Sequence, residues 1–238
     1  MVEPNTPVLR RTAFVVLAAA VVAWDAVAPH LDALALWPTV AIISAAVLPA
    51  TLGLILLAVP LWSRSRWILS AGAVLAIAAV VSWELNSHLV SNFAKLGAYT
   101  CFGWAFLWLF EELSWVLIVA LIIPFVDAIS VAAGPTKAIV NHHFAVYSAV
   151  AVAFVAPGGL AADLGPPDIA FYALFLGATV RWRLRPIWTW LAMTGMYSLT
   201  LVIANVTNVN GLPALPFLSV GFLVANGDLL WRRLRPAR

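Results

Sequence analysis

Apolar runs of about twenty residues recur along this 238-residue chain, and they restrict its fold more than any other feature. A hydrocarbon layer about 30 Å thick is crossed by roughly 20 helical residues, each advancing about 1.5 Å. Only a helix or a closed barrel satisfies its own backbone polar groups in such a layer. This ruler predicts spans near 11–30, 37–62, 67–86, 90–110, 113–134, 168–181, 186–206 and 212–231. Composition agrees. Hydrophobic residues make up 64% of the chain and charged residues 10%, against about 45–50% and 25% in soluble domains. The expected class is an all-α polytopic membrane protein with about eight transmembrane helices, 1–110 forming four N-terminal spans and 113–231 a second part.

The net charge of +3 does not point to nucleic acid, because the basic residues cluster at the ends of apolar runs. Arg10 and Arg11, Arg64 and Arg66, Arg181, Arg183 and Arg185, and Arg232, Arg233, Arg235 and Arg238 form four groups. With eight crossings and a cytoplasmic N-terminus, all four fall on the cytoplasmic side, leaving only Lys95 and Lys137 elsewhere. That matches the positive-inside bias and puts both termini in the cytoplasm. Tryptophans near span ends (Trp37, Trp62, Trp67, Trp182 and Trp231) fit an interfacial belt. The first apolar run resembles a signal peptide but is followed by many further spans, so it reads as an uncleaved helix. Arginine outnumbers lysine 11 to 2 amid abundant Ala and Val, a usage that suggests a GC-rich prokaryote and hence a prokaryotic cell membrane.

Residues 138–157 do not fit the ruler. The uninterrupted apolar run after His143 is about 13 residues, short for a crossing. Its Val, Ala, Tyr and Phe content suits a strand as well as a helix, and the segment reads as a re-entrant or interfacial loop. A ninth crossing here would place an arginine group outside. The single cysteine, Cys101, reads as small filler, and His142 and His143 have no nearby third metal ligand.

The acidic residues carry the chemistry. An acid at mid-membrane costs roughly 2.5 kcal/mol or more, so each requires a pairing or a function. Asp32, Glu111, Glu112 and Asp163 lie at span ends. Asp25 and Glu84 each follow a tryptophan and read as interfacial, while Asp228 is near enough to Arg232 to pair with a terminal arginine. Asp127 lies well inside its span, about 10 Å from the Gly134 end, with no basic residue in that span. Asp168 opens the next full span, again without a basic neighbour in sequence. Two carboxylates brought together in low dielectric share a proton, which supplies an acid and a base at one place.

A third element bears on that pair. Residues 211–218 read Gly-Leu-Pro-Ala-Leu-Pro-Phe-Leu and open the last span. An aspartate in a helix, an aspartate at a helix start after a glycine-containing turn, and Pro-Ala-Leu at the last helix occur in that order. This resembles the presenilin and signal peptide peptidase family of intramembrane aspartyl proteases, over roughly residues 113–231. The resemblance implies Asp127 and Asp168 as the catalytic pair, with Pro213, Ala214, Leu215 and Gly165 as substrate-binding elements. It implies a presenilin-like helical bundle (the family usually has nine spans), peptide hydrolysis by water without metal or organic cofactor, and transmembrane peptides or proteins as substrates. Phe171 and Tyr172 after the second aspartate also match. Val126 stands where the family has tyrosine, and Gly165-Pro166-Pro167-Asp168 replaces Gly-x-Gly-Asp. With the arginine clusters inside, the loop between the two aspartate helices is extracytoplasmic, as in signal peptide peptidase. The same residues also suit a non-catalytic relative that binds membrane helices, or a small proton-coupled transporter or lipid-modifying enzyme.

Overall fold

A computed structural model of the protein describes residues 6–59, 65–133, 144–207, 209 and 211–234. Eight long helices stand at the positions the apolar runs predict: α1 Thr6–Val27, α2 Leu36–Ala58, α3 Ser65–Glu84, α4 His88–Leu107, α5 Leu113–Ala133, α7 Pro166–Arg181, α8 Pro186–Thr207 and α9 Leu215–Leu234. A short helix, α6 Phe144–Val150, leads into two strands, β1 Val152–Val155 and β2 Ala161–Leu164.

Five of these helices are long and apolar enough to cross a membrane, in the stretches Val8–His30 (α1 with the short turn after it), Leu36–Ala58, Arg66–Glu84, Leu113–Ala132 and Pro186–Thr207. The other three depart from the eight-span expectation for reasons visible in their residues. Asn92 and Lys95 make α4 more polar, Asn226, Asp228 and two arginines do so for α9, and α7 has only 16 residues.

Helix α7 occupies the centre. Ile169, Tyr172 and every residue from Ala173 to Thr179 are buried, the pattern of a helix apolar on all sides. Phe175 stacks on Phe222 of α9 with ring centroids 4.7 Å apart, and Tyr172 on Tyr197 of α8 at 5.8 Å. Helix α4 approaches α7 so closely that a Cβ at Gly103 would overlap the carbonyl of Ala170. The outer helices are the reverse. Helix α5 exposes Ile118, Leu121, Ile122, Phe125 and Ile129, and α3 exposes Leu69, Val74, Ile77 and Val80. Continuous exposed apolar faces of this kind suit a hydrocarbon surround rather than water.

Helix α2 contains a π-helical segment, Ile43–Val47, just before Pro49. Proline removes one helical donor and crowds the preceding turn, a common cause of such bulges. The Ser198 hydroxyl of α8 donates to the loosened Ser44 carbonyl at 2.7 Å.

The segment read as a loop at 138–157 is more ordered than expected where it is described. After α6 comes an antiparallel hairpin with Val152 opposite Leu164 and Val155 opposite Ala161. The all-α class therefore stands, with one two-stranded hairpin among the described residues. Its turn requires glycine at 158: φ is +78°, and a Cβ there would collide with Ala33. The outer edge of β1 is closed by side chains. Asn92 donates to the Ala153 carbonyl and accepts from its N–H, both at 2.8 Å, and Trp24 donates to the Val155 carbonyl at 2.8 Å. On the same face of α4, Tyr99 donates to the Val150 carbonyl at 2.7 Å and Lys95 to that of Ser148 at 3.5 Å. Residues 92, 95 and 99 share one helical stripe, and that stripe fixes the connection between the two aspartate helices.

Candidate active site

Asp127 sits on α5 three residues after Pro124, which interrupts the helical bonding just before it. Its neighbours Phe125 and Val126 face outward, 70% and 58% exposed. The carboxylate turns inward, and its Oδ2 accepts the backbone N–H of Leu215 at 3.0 Å, across 88 residues of sequence. Leu215 opens α9, where the first N–H groups have no partner within their own helix. A carboxylate is favoured there by both hydrogen bonding and the helix dipole. The N–H of Ala214 also faces Asp127.

Asp168 occupies the first turn of α7. Gly165 precedes that helix and donates its N–H to Asp168 Oδ2 at 2.9 Å, while Asp168 returns its own N–H to the Gly165 carbonyl at 3.1 Å. Pro166 and Pro167 fill the first two helical positions, where a missing N–H costs nothing and the fixed φ already matches a helix. The Tyr197 hydroxyl on α8 donates to the Asp168 carbonyl at 3.0 Å.

The two carboxylates lie within electrostatic reach of one another. The structure brings Asp127 to Ala214 and Leu215, and Asp168 to Gly165. Ala214 and Leu215 are buried and Pro213 half-buried. Val126, where the family's tyrosine would stand, points away from the pair.

Two tyrosines that the sequence reading does not single out also lie near the two aspartates. Tyr147 on α6 and Tyr197 on α8 are both within electrostatic reach of Asp127 and Asp168. The chain has only four tyrosines. A phenol set in an apolar run needs a polar neighbour, and that scarcity was the available signal.

The remaining acids have distinct surroundings. Asp163, on β2 just before Gly165, is held above the usual carboxylate range by burial, with Lys95 opposing that shift. Asp25 is buried and receives the Asn92 amide at 3.3 Å. Asp228 pairs with Arg185 through two bonds of 2.8 Å, not with a terminal arginine, because the α7–α8 turn lies against α9. Lys137, His142 and His143 fall outside the described residues. Among the described residues no group of three His, Cys, Asp or Glu side chains is placed to hold a metal ion.

Compared with protein-family models, with curated proteins and with solved structures, the chain matches none.

Proposed function

We propose that the chain is an intramembrane aspartyl endopeptidase, similar in its site to presenilin and signal peptide peptidase. The observation that carries this reading is the Asp127–Leu215 hydrogen bond within reach of Asp168. It joins three sequence elements that have no local reason to meet.

In the proposed reaction the pair holds one proton. The ionised carboxylate takes a proton from water, and the water oxygen bonds to the scissile carbonyl carbon. The protonated carboxyl gives its proton to the carbonyl oxygen, producing a tetrahedral gem-diol. A carboxyl then protonates the amide nitrogen as the C–N bond breaks, and the diol loses a proton to restore the acid and the amine products. The pair is one titrating unit, and activity follows a bell-shaped pH profile.

A helical substrate must first open, because a helix hides its peptide bonds. The second edge of β2, which no other strand pairs among the described residues, supports a place for the opened segment: β1 occupies the first edge, and β2 runs directly into Gly165 and Asp168. An extended chain adds to such an edge through backbone hydrogen bonds. The non-helical entry to α9, from Gly211 to Pro213, offers further backbone beside Asp127. In this reading the substrates are transmembrane peptides or signal-peptide remnants. The protein is integral to a prokaryotic membrane, with both termini cytoplasmic and the site towards the opposite face.

The deciding experiment incubates reconstituted protein with single-span helical peptides and analyses the products by mass spectrometry. Wild type cleaves within the apolar segment, and Asp127→Asn and Asp168→Asn each abolish cleavage. Unchanged cleavage in both variants overturns the assignment. A second reading, a non-catalytic binder of membrane helices, is favoured by one specific feature: Asp127 caps α9 and would stabilise the fold without any chemistry. It is the conclusion if wild type binds the peptides and leaves them intact.

A further inference from the structure

At the end of the bundle remote from the β-hairpin, helices α8 and α9 border a groove of about 500 Å³ lined by Arg185, Trp188, Leu191, Ala192, Val224 and Ala225. Its floor is made by the small residues Ala192 and Ala225, and its walls by Leu191 and Val224, which are 46% and 76% exposed. Its mouth is cationic. Arg185 is held there by Asp228 and by the Ala225 carbonyl at 3.3 Å. Arg232 lies within electrostatic reach of the same aspartate. Arg233 donates to the Trp182 and Arg183 carbonyls and fixes the turn that carries Arg183 and Arg185. Arg185 and Arg232 thus act on one aspartate at the mouth of an apolar slot. Trp188 on its rim has the amphipathic character that favours the headgroup level.

We infer that this groove binds a phospholipid with an anionic headgroup. Its phosphate lies at Arg185 and Arg232, and an acyl chain runs along Ala192 and Ala225. Two physical requirements select this occupant. An exposed apolar slot of this shape accepts a hydrocarbon chain, and a cationic mouth at its end selects a negative headgroup over a zwitterionic one. Asp228 tunes the selection, because its bidentate hold on Arg185 takes up part of the charge that a phosphate would meet. The inference rests on the chain spanning a membrane and is separate from the proteolytic reading.

Native mass spectrometry of the full chain tests it, after release from micelles containing equal amounts of phosphatidylglycerol and phosphatidylcholine. Wild type retains phosphatidylglycerol preferentially. Arg185→Gln and Arg232→Gln each weaken that preference by about fivefold. Asp228→Asn strengthens it, a gain that misfolding cannot imitate. Ala225→Trp fills the slot and removes both lipids. Equal retention of the two lipids by wild type, or indifference to Arg185→Gln and Asp228→Asn, overturns the proposal. A lipid-free dimer that Ala225→Trp dissociates also overturns it, by assigning the groove to a second copy of the chain.

Discussion

The two aspartates stand on helices of opposite kinds. Helix α7, which carries Asp168, is sealed inside the bundle, while α5, which carries Asp127, has most of its surface on the outside. Asp168 is fixed by its own helix start and by Tyr197; Asp127 is fixed chiefly by α9, through Leu215. One half of the pair is held by the core and the other by a single lateral contact. Substitutions around α7 should therefore act through stability. Those around α5 should act on activity with little effect on the fold.

The largest expected effect is at the α4–α7 contact. Gly103→Val drives side-chain atoms into the Ala170 backbone, and the variant should fail to accumulate as folded protein, measured by detergent-resistant yield and thermal unfolding. Phe175→Ala comes next. It opens a cavity between α7 and α9 and should cost about 3–5 kcal/mol, read from denaturant titration. Asn92→Ala removes both backbone bonds to Ala153 and the contact with Asp25. A loss of about 1–3 kcal/mol follows from leaving those buried groups unpaired, with faster amide exchange in residues 152–155.

On the α5 side the effects change character. Asp127→Asn removes the charge on α5 while keeping an oxygen that can accept the Leu215 N–H. Its stability should change by about 1 kcal/mol or less, while peptide cleavage is lost. Equal losses in stability and activity would break the contrast. The smallest effect belongs to Val126→Tyr, which places on an outward face the tyrosine that presenilin-like proteases have before their first aspartate. Cleavage and unfolding temperature should both stay close to wild type; a large gain in activity would mean that position 126 reaches the pair.

Much of this architecture is legible in the sequence because helix length in a membrane is set by thickness and backbone satisfaction, both local properties. All eight predicted helices occur near their expected bounds. The strands were less legible. Val152–Val155 has strand-like composition, but Ala161–Leu164 does not, and its pairing depends on Gly158 fitting against Ala33 and on Asn92 and Trp24 closing the far edge of β1. Those partners lie about 60 and 130 residues away. The isolation of Asp127 and Asp168 was equally plain, since each lies in an apolar run without a basic neighbour. Tyr147 and Tyr197 are not legible as neighbours of the aspartates, because nothing within several residues of either points to an acid.

The sequence by itself determined where the helices lie, which acids lack local partners, and that a Pro-Ala-Leu segment opens the last helix. Each is a matter of residues within one or two turns. Only the tertiary structure decided that Leu215 would donate to Asp127, that Asp168 would lie within reach, and that Asp228 would take Arg185. Such pairings are fixed by how helices pack, and packing depends on the fit of side chains distant along the chain.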